Sequence, residues 1–172
     1  MKASVEWLAD TSAEFSAGTG RSGCAQLTHY TAAYREWGDG PPLVLIPGLA
    51  GGFELLGPLA RILASRFRVI SYQLRGEDDC FALRRRFDLG DLVDDLAEFV
   101  DWHGLERPSL FGVSFGGTLA LEFAARHAGR LRALAVQGVG ARFHRGLLQR
   151  IAGAVLAGYP LPPDNPFINQ FR

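Results

Sequence analysis

At 172 residues, 48% of them hydrophobic, the chain has the length of one domain and enough apolar content to build a core. Its 18 basic and 18 acidic residues cancel, which argues against nucleic acid or an anionic membrane surface as a partner. The distant Cys24 and Cys80 form no C-x-x-C or metal-ligand pattern and read as reduced, so a cytoplasmic protein without a metal or other cofactor is expected.

Residues 10–25 are rich in Ser, Ala, Gly and Thr, and 1–25 are expected to form a mobile N-terminal segment. Lys2, Glu6 and Asp10 interrupt the start, leaving no apolar core of signal-peptide length, and no stretch of the chain approaches a membrane span. A β-hairpin is expected over 26–37. Leu43-Val-Leu-Ile46 is a short continuous apolar run, as a strand buried on both faces requires. A helix over 53–65 follows, with Leu56, Leu59, Ala60 and Leu63 at helical spacing, then a strand over 67–73. In the polar loop beyond it, Arg84-Arg85-Arg86 reads as a solvated run paired with Glu77, Asp78 and Asp79 rather than an anion site.

The next helix, 90–102, places Leu92, Val93, Leu96, Phe99 and Val100 on one face. Asp91, Asp94, Asp95, Glu98 and Asp101 are expected towards water, with Asp88 as N-cap. A strand over 109–113, a helix to about 127 and a strand over 131–136 continue the alternation. This order predicts an α/β fold, a mostly parallel sheet with helices on both faces. After one further helical stretch, 147–157, the sequence turns Pro-rich at 159–167.

The chemistry concentrates in Leu110-Phe-Gly-Val-Ser-Phe-Gly-Gly117, where an apolar strand runs into Gly112-x-Ser114-x-Gly116 and a helix begins at once. This is the strand–turn–helix setting of a nucleophile elbow. So tight a turn needs nearly side-chain-free neighbours, hence Gly112 and Gly116, with Gly117 beside them. The corner would present the Ser114 hydroxyl at the positive end of the following helix. The bland alternative is a chance Gly-Ser turn in a βα connection. In Pro47-Gly48-Leu49-Ala50-Gly51-Gly52, Gly48 lets the backbone approach a substrate. The backbone N–H groups of Leu49 and Phe115 are the candidate oxyanion donors. An ordinary Gly-rich loop is the alternative reading; a phosphate cradle lacks both of its patterns, G-x-x-x-x-G-K-[ST] and G-x-G-x-x-G.

Together these residues resemble the α/β-hydrolase family over about residues 26–145. Glu36-Trp-Gly-Asp-Gly-Pro-Pro-Leu-Val-Leu-Ile-Pro-Gly48 is similar to the family's hairpin entry, first central strand and oxyanion loop. Val69-Ile-Ser-Tyr-Gln-Leu-Arg-Gly76 is similar to its next strand and arginine-glycine loop, and 104–117 to its nucleophile strand and elbow. The sequence departs from the pattern at Pro47, where histidine is usual, at Gln73, where aspartate is common, and at Glu77-Asp78-Asp79-Cys80. The resemblance implies that 146–172 begin a cap. It also implies that the acid and histidine of a triad follow the cap, so the 172 residues read as the N-terminal part of such an enzyme.

A serine hydroxyl needs a base within hydrogen-bond reach. His127 lies 13 residues along the elbow helix, about 20 Å at helical rise, while His103 and His29 belong to remote elements. His144 alone follows a strand opening towards the site, with a surface role as its alternative. Asp164 reads as a turn residue. The expected function is hydrolysis of a small-molecule acyl substrate, a carboxylic ester, through an acyl-enzyme on Ser114. In the haloalkane and epoxide branches of the family the usual nucleophile is aspartate. The alternatives are an acyltransferase of the same fold and a non-catalytic scaffold that has lost the triad.

Overall fold

The computed structural model describes residues 20–48, 52–76 and 87–139. Among the described residues six strands form one sheet: β1 (Arg21–Gln26), β2 (Thr31–Trp37), β3 (Pro42–Ile46), β4 (Arg68–Tyr72), β5 (Ser109–Val113) and β6 (Ala133–Gln137). Their spatial order is β1-β2-β4-β3-β5-β6. The β1–β2 and β2–β4 pairs are antiparallel, and β4–β3, β3–β5 and β5–β6 are parallel. Three α-helices among the described residues flank the sheet: α1 (Gly57–Leu63), α2 (Leu89–Trp102) and α3 (Phe115–Arg126). The sheet is thus mixed and largely parallel, with helices on both faces, as the alternation predicts.

Alternation along the central strands feeds two cores. Val44 and Ile46 of β3 join Ile70, Tyr72 and Leu110 under α2 and α3, whose Leu96, Phe99, Leu119 and Phe123 close that layer. Leu43 and Leu45 face the other way, packing with Trp37, Val69 and Ala60 under α1. The apolar run of β3 therefore serves both layers. Ser71, fully buried on β4, donates its hydroxyl to the Leu45 carbonyl at 2.8 Å, so its burial leaves no unmet hydrogen bond.

Several boundaries differ from expectation. β1 begins at Arg21, five residues before the expected hairpin, inside a stretch whose composition reads as unstructured. Its strand character comes from across the pair, where Arg21 stands opposite Glu36 and Gly23 opposite Tyr34. A Cβ on Gly23 would fall onto the Tyr34 hydroxyl, so that ring lies over the glycine and supplies the packing it lacks. The expected helix over 53–65 is a 3₁₀ turn, Phe53–Leu56, followed by α1, with Pro58 in the first turn of α1. Asp88 caps α2 as expected, and Asp91 returns the bond to the Asp88 N–H at 2.8 Å, completing a capping box.

Asp95 corrects the expected solvent face of α2. Its side chain is only 3% exposed and forms a two-pronged ion pair with Arg75, through Nε at 2.8 Å and through a second guanidinium nitrogen. The Arg75 guanidinium also lies over the Tyr30 and Phe87 rings, at 6.0 and 5.5 Å. Burial pushes the Asp95 carboxyl up, and Arg75 pulls against that shift. One turn on, Glu98 accepts from the backbone N–H and hydroxyl of Thr28 at 2.7 and 2.8 Å. The two acids thereby tie α2 to the hairpin turn and to the segment after β4.

Glu36 is likewise buried, between Arg68 (2.9 and 3.0 Å) and Arg21 (2.5 Å). Hydrogen bonding from Arg68 is the main cause holding its carboxyl below the usual range. His103, at the C-terminus of α2, packs edge-on against Tyr34, Phe99 and Trp102 at 4.6, 4.5 and 4.9 Å. Burial, with the Arg68 charge adding to it and Glu36 opposing, pushes its pKa down to about 4. Among the described residues no helix is long and apolar enough to cross a membrane.

Two outcomes follow from these buried groups. Below its unfolded pKa of about 6.5, His103 takes up a proton in the unfolded chain that the folded chain refuses. Its contribution therefore lowers stability progressively as pH falls from about 6.5 to about 4. Urea midpoints measured across that window should fall for the native sequence and fall less for His103→Phe. Asp95→Ala, which leaves the Arg75 charge in place without its carboxylate, should cost about 3 kcal/mol in urea unfolding at pH 7. The double change Arg75→Met with Asp95→Leu should recover most of that loss.

Candidate active site

The strand β5 stops at Val113 because Ser114 turns the chain. Ser114 has φ 54° and ψ −119°, and it has the only left-handed φ among the described non-glycine residues. Such a conformation costs about 1–3 kcal/mol and persists only where its surroundings hold it. Here the Ser114 carbonyl accepts from the N–H groups of Gly117 at 2.9 Å and Thr118 at 3.3 Å. On the other side, the Ser114 N–H donates to the Gln137 carbonyl at the end of β6, at 2.7 Å.

The glycines are required by contact. A Cβ on Gly112 would fall within 3.0 Å of the Gly116 carbonyl and the Gly117 backbone. One on Gly116 would strike the carbonyl oxygens of Ile46 and Pro47, so the first turn of α3 lies directly on the end of β3. Gly117 packs closely under the Val139 side chain. Gly48 borders the hydroxyl itself: a Cβ there would lie 3.2 Å from Ser114 Cβ and 3.8 Å from Oγ.

Ser114 occupies the N-cap position of α3, yet its side chain makes no capping hydrogen bond, and the residue is exposed. The hydroxyl is therefore not committed to the helix end, as an N-cap serine usually is. Phe115 opens α3 and is half-buried against the core, and a first-turn N–H has no acceptor within its own helix. The positive end of the α3 dipole is directed at the same corner. Exposed hydroxyl, first-turn N–H and the side-chain-free Gly48 thus meet at one point above the sheet.

The structure separates three histidines from this point. His127 caps the far end of α3 and packs on Phe123. His103 stands against Tyr34 of β2, three strands from β5, or about 14 Å at sheet spacing. His29 lies in the turn joining β1 to β2, at least as far across the sheet. Leu49, His144, Cys80 and Arg84-Arg85-Arg86 lie outside the described residues. Among the described residues no three His, Cys, Asp or Glu side chains come together as a metal site. Sequence reasoning missed the Gln137 carbonyl and the turn at Gly138 behind it, because a backbone acceptor leaves no side-chain signature.

A family model described as the alpha/beta hydrolase fold matches residues 41–165. The chain belongs to the α/β-hydrolase fold family. Among curated relatives, the protein provisionally named carbamate hydrolase RutD from Caulobacter sp. (strain K31) is 33% identical over 109 residues, 60% of this chain and 41% of that one. A soluble epoxide hydrolase from Corynebacterium sp. (strain C12) is 28% identical over 140 residues, 80% of this chain and 45% of that one. The chain thus spans less than half the length of either of these relatives. Among solved structures, a bacterial membrane phospholipase A superposes with a TM-score of 0.69 at 23% identity, over 95% of this chain and 60% of its own. That likeness shows the fold.

The contacts of the elbow set a stability test. Gly116→Ala should destabilise the protein by about 2 kcal/mol or more, because two backbone carbonyls must move to admit the methyl. Gly129→Ala, where the added methyl meets nothing within 4 Å, should leave the urea midpoint nearly unchanged and serves as the control.

Proposed function

We propose that the protein is a serine hydrolase acting on a carboxylic ester, with Ser114 as nucleophile. One observation carries this reading: Ser114 is held in a left-handed corner at the start of α3, exposed, with its hydroxyl not engaged in capping. In the proposed reaction Oγ attacks the acyl carbon while its proton passes to a histidine base. The tetrahedral oxyanion is received by the N–H groups of Phe115 and Leu49. Its collapse breaks the bond to the alkoxy oxygen, which takes the proton from the histidine and leaves as the alcohol. The same base then takes a proton from the water that attacks the resulting acyl-enzyme and returns it to Oγ, giving free acid and restored serine.

The base and the acid that orients it are proposed to lie outside the described residues. His144, the histidine that follows β6, is the candidate base within this sequence. The relatives lend support in kind, since their names describe hydrolases of carbamates and epoxides. Serine rather than aspartate at the corner favours acyl chemistry over epoxide opening.

In the intact protein, Ser114→Ala should reduce hydrolysis of short p-nitrophenyl esters on the order of a million-fold if the serine works within a full triad. The circular dichroism spectrum and urea midpoint should stay close to native. Retention of more than about a tenth of the native rate would show that another residue is the nucleophile. His144→Ala, assayed alongside, should match the serine variant if His144 is the base and resemble the native protein if it is not.

A further inference from the structure

The strained backbone of Ser114 is held from two directions, and only one of them is local. The bonds from Gly117 and Thr118 come from its own helix, whereas the bond to the Gln137 carbonyl comes from β6. That carbonyl belongs to the peptide unit between Gln137 and Gly138, whose orientation is set by ψ of Gln137 and φ of Gly138. Gly138 has φ 69°, in the left-handed region. The chain thus leaves the ladder immediately after delivering its last carbonyl to the elbow.

We infer that Gly138 is a positioning residue for Ser114: its left-handed φ aims the Gln137 carbonyl at the Ser114 N–H and so fixes the elbow from the β6 side. A side chain with a β-carbon would favour negative φ at this position. Reaching it rotates the preceding peptide plane, turns the carbonyl away and releases the amide of Ser114. Size is not the obstacle. A Cβ on Gly138 would lie 3.9 Å from Ser114 N and 4.0 Å from its Cα, which is ordinary contact. The constraint is conformational, so asparagine, which tolerates left-handed φ, should satisfy it better than alanine.

The catalytic part of this inference rests on Ser114 being the nucleophile; the structural part does not. The test compares the native protein with Gly138→Ala and Gly138→Asn, each as the intact chain. Amide hydrogen exchange at Ser114 is measured by NMR, and kcat and KM are measured on a p-nitrophenyl ester. For Gly138→Ala the expected result is exchange at Ser114 at least about tenfold faster, with amides in β3 and β4 unchanged. A kcat at least about tenfold lower at nearly constant KM should accompany it, since a displaced nucleophile loses reactivity more than binding. Gly138→Asn should stay within about threefold of native in both readouts.

Unchanged Ser114 exchange in Gly138→Ala would overturn the inference, as would equal damage from asparagine and alanine. If the native protein hydrolyses no ester, the nucleophile reading fails, while the exchange comparison still decides the role of Gly138.

Discussion

The backbone of Ser114 is the constraint on which the rest of the site depends. A non-glycine residue in a left-handed corner is unfavourable by itself, so its neighbours must forbid every cheaper arrangement. They do so by proximity. Gly112 and Gly116 bring strand and helix together until only hydrogen atoms fit between them, and the carbonyls of Ile46 and Pro47 close the space below. The parallel pairing of β3, β5 and β6 then places Gly48, Ser114 and Gln137 at the same end of adjacent strands. The three parallel strands β3, β5 and β6 act together here, because each side of the corner is held by a different one of them.

A second set of forces keeps the antiparallel edge attached to this parallel centre. Hydrophobic packing supplies both layers and includes the edge residues Ala25, Ala32 and Trp37, while bonds to acidic side chains add to the β2–β4 ladder in joining the edge. Asp95 and Glu98 reach from α2 to the segment after β4 and to the hairpin turn, and Glu36 joins three strands through two arginines. Buried pairs of this kind contribute modestly when intact and are costly when one partner is lost. Of these contacts, the Glu36–Arg68 pair spans β2 and β4, which are neighbours in the sheet.

Much of this was legible in the sequence because it was local. The apolar run at 43–46, the 3.6-residue stripe of α2 and the glycine spacing around Ser114 each express a short-range rule. What escaped was long-range. Asp95 reads as a solvent residue among five acids, and its partner lies 20 residues away in a loop. β1 reads as part of a mobile N-terminal segment because its pairing with Glu36 and Tyr34 is invisible along the chain. The Gln137 carbonyl escaped for a different reason, since every residue carries one and only the sheet register shows which one meets Ser114.

The Arg21–Glu36 rung has a mechanical consequence. It is the open end of the β1–β2 hairpin, the rung farthest from the turn. A load applied through the N-terminus would peel that hairpin one rung at a time, the geometry in which paired strands resist least. The parallel strands β3 and β4, loaded along their length, would have to break several bonds at once. The rung that would open first carries the Arg21–Glu36 ion pair, whose carboxylate is also held from β4 by Arg68. The fold thus carries its charged fastening where an N-terminal fusion partner or a tethered surface would pull.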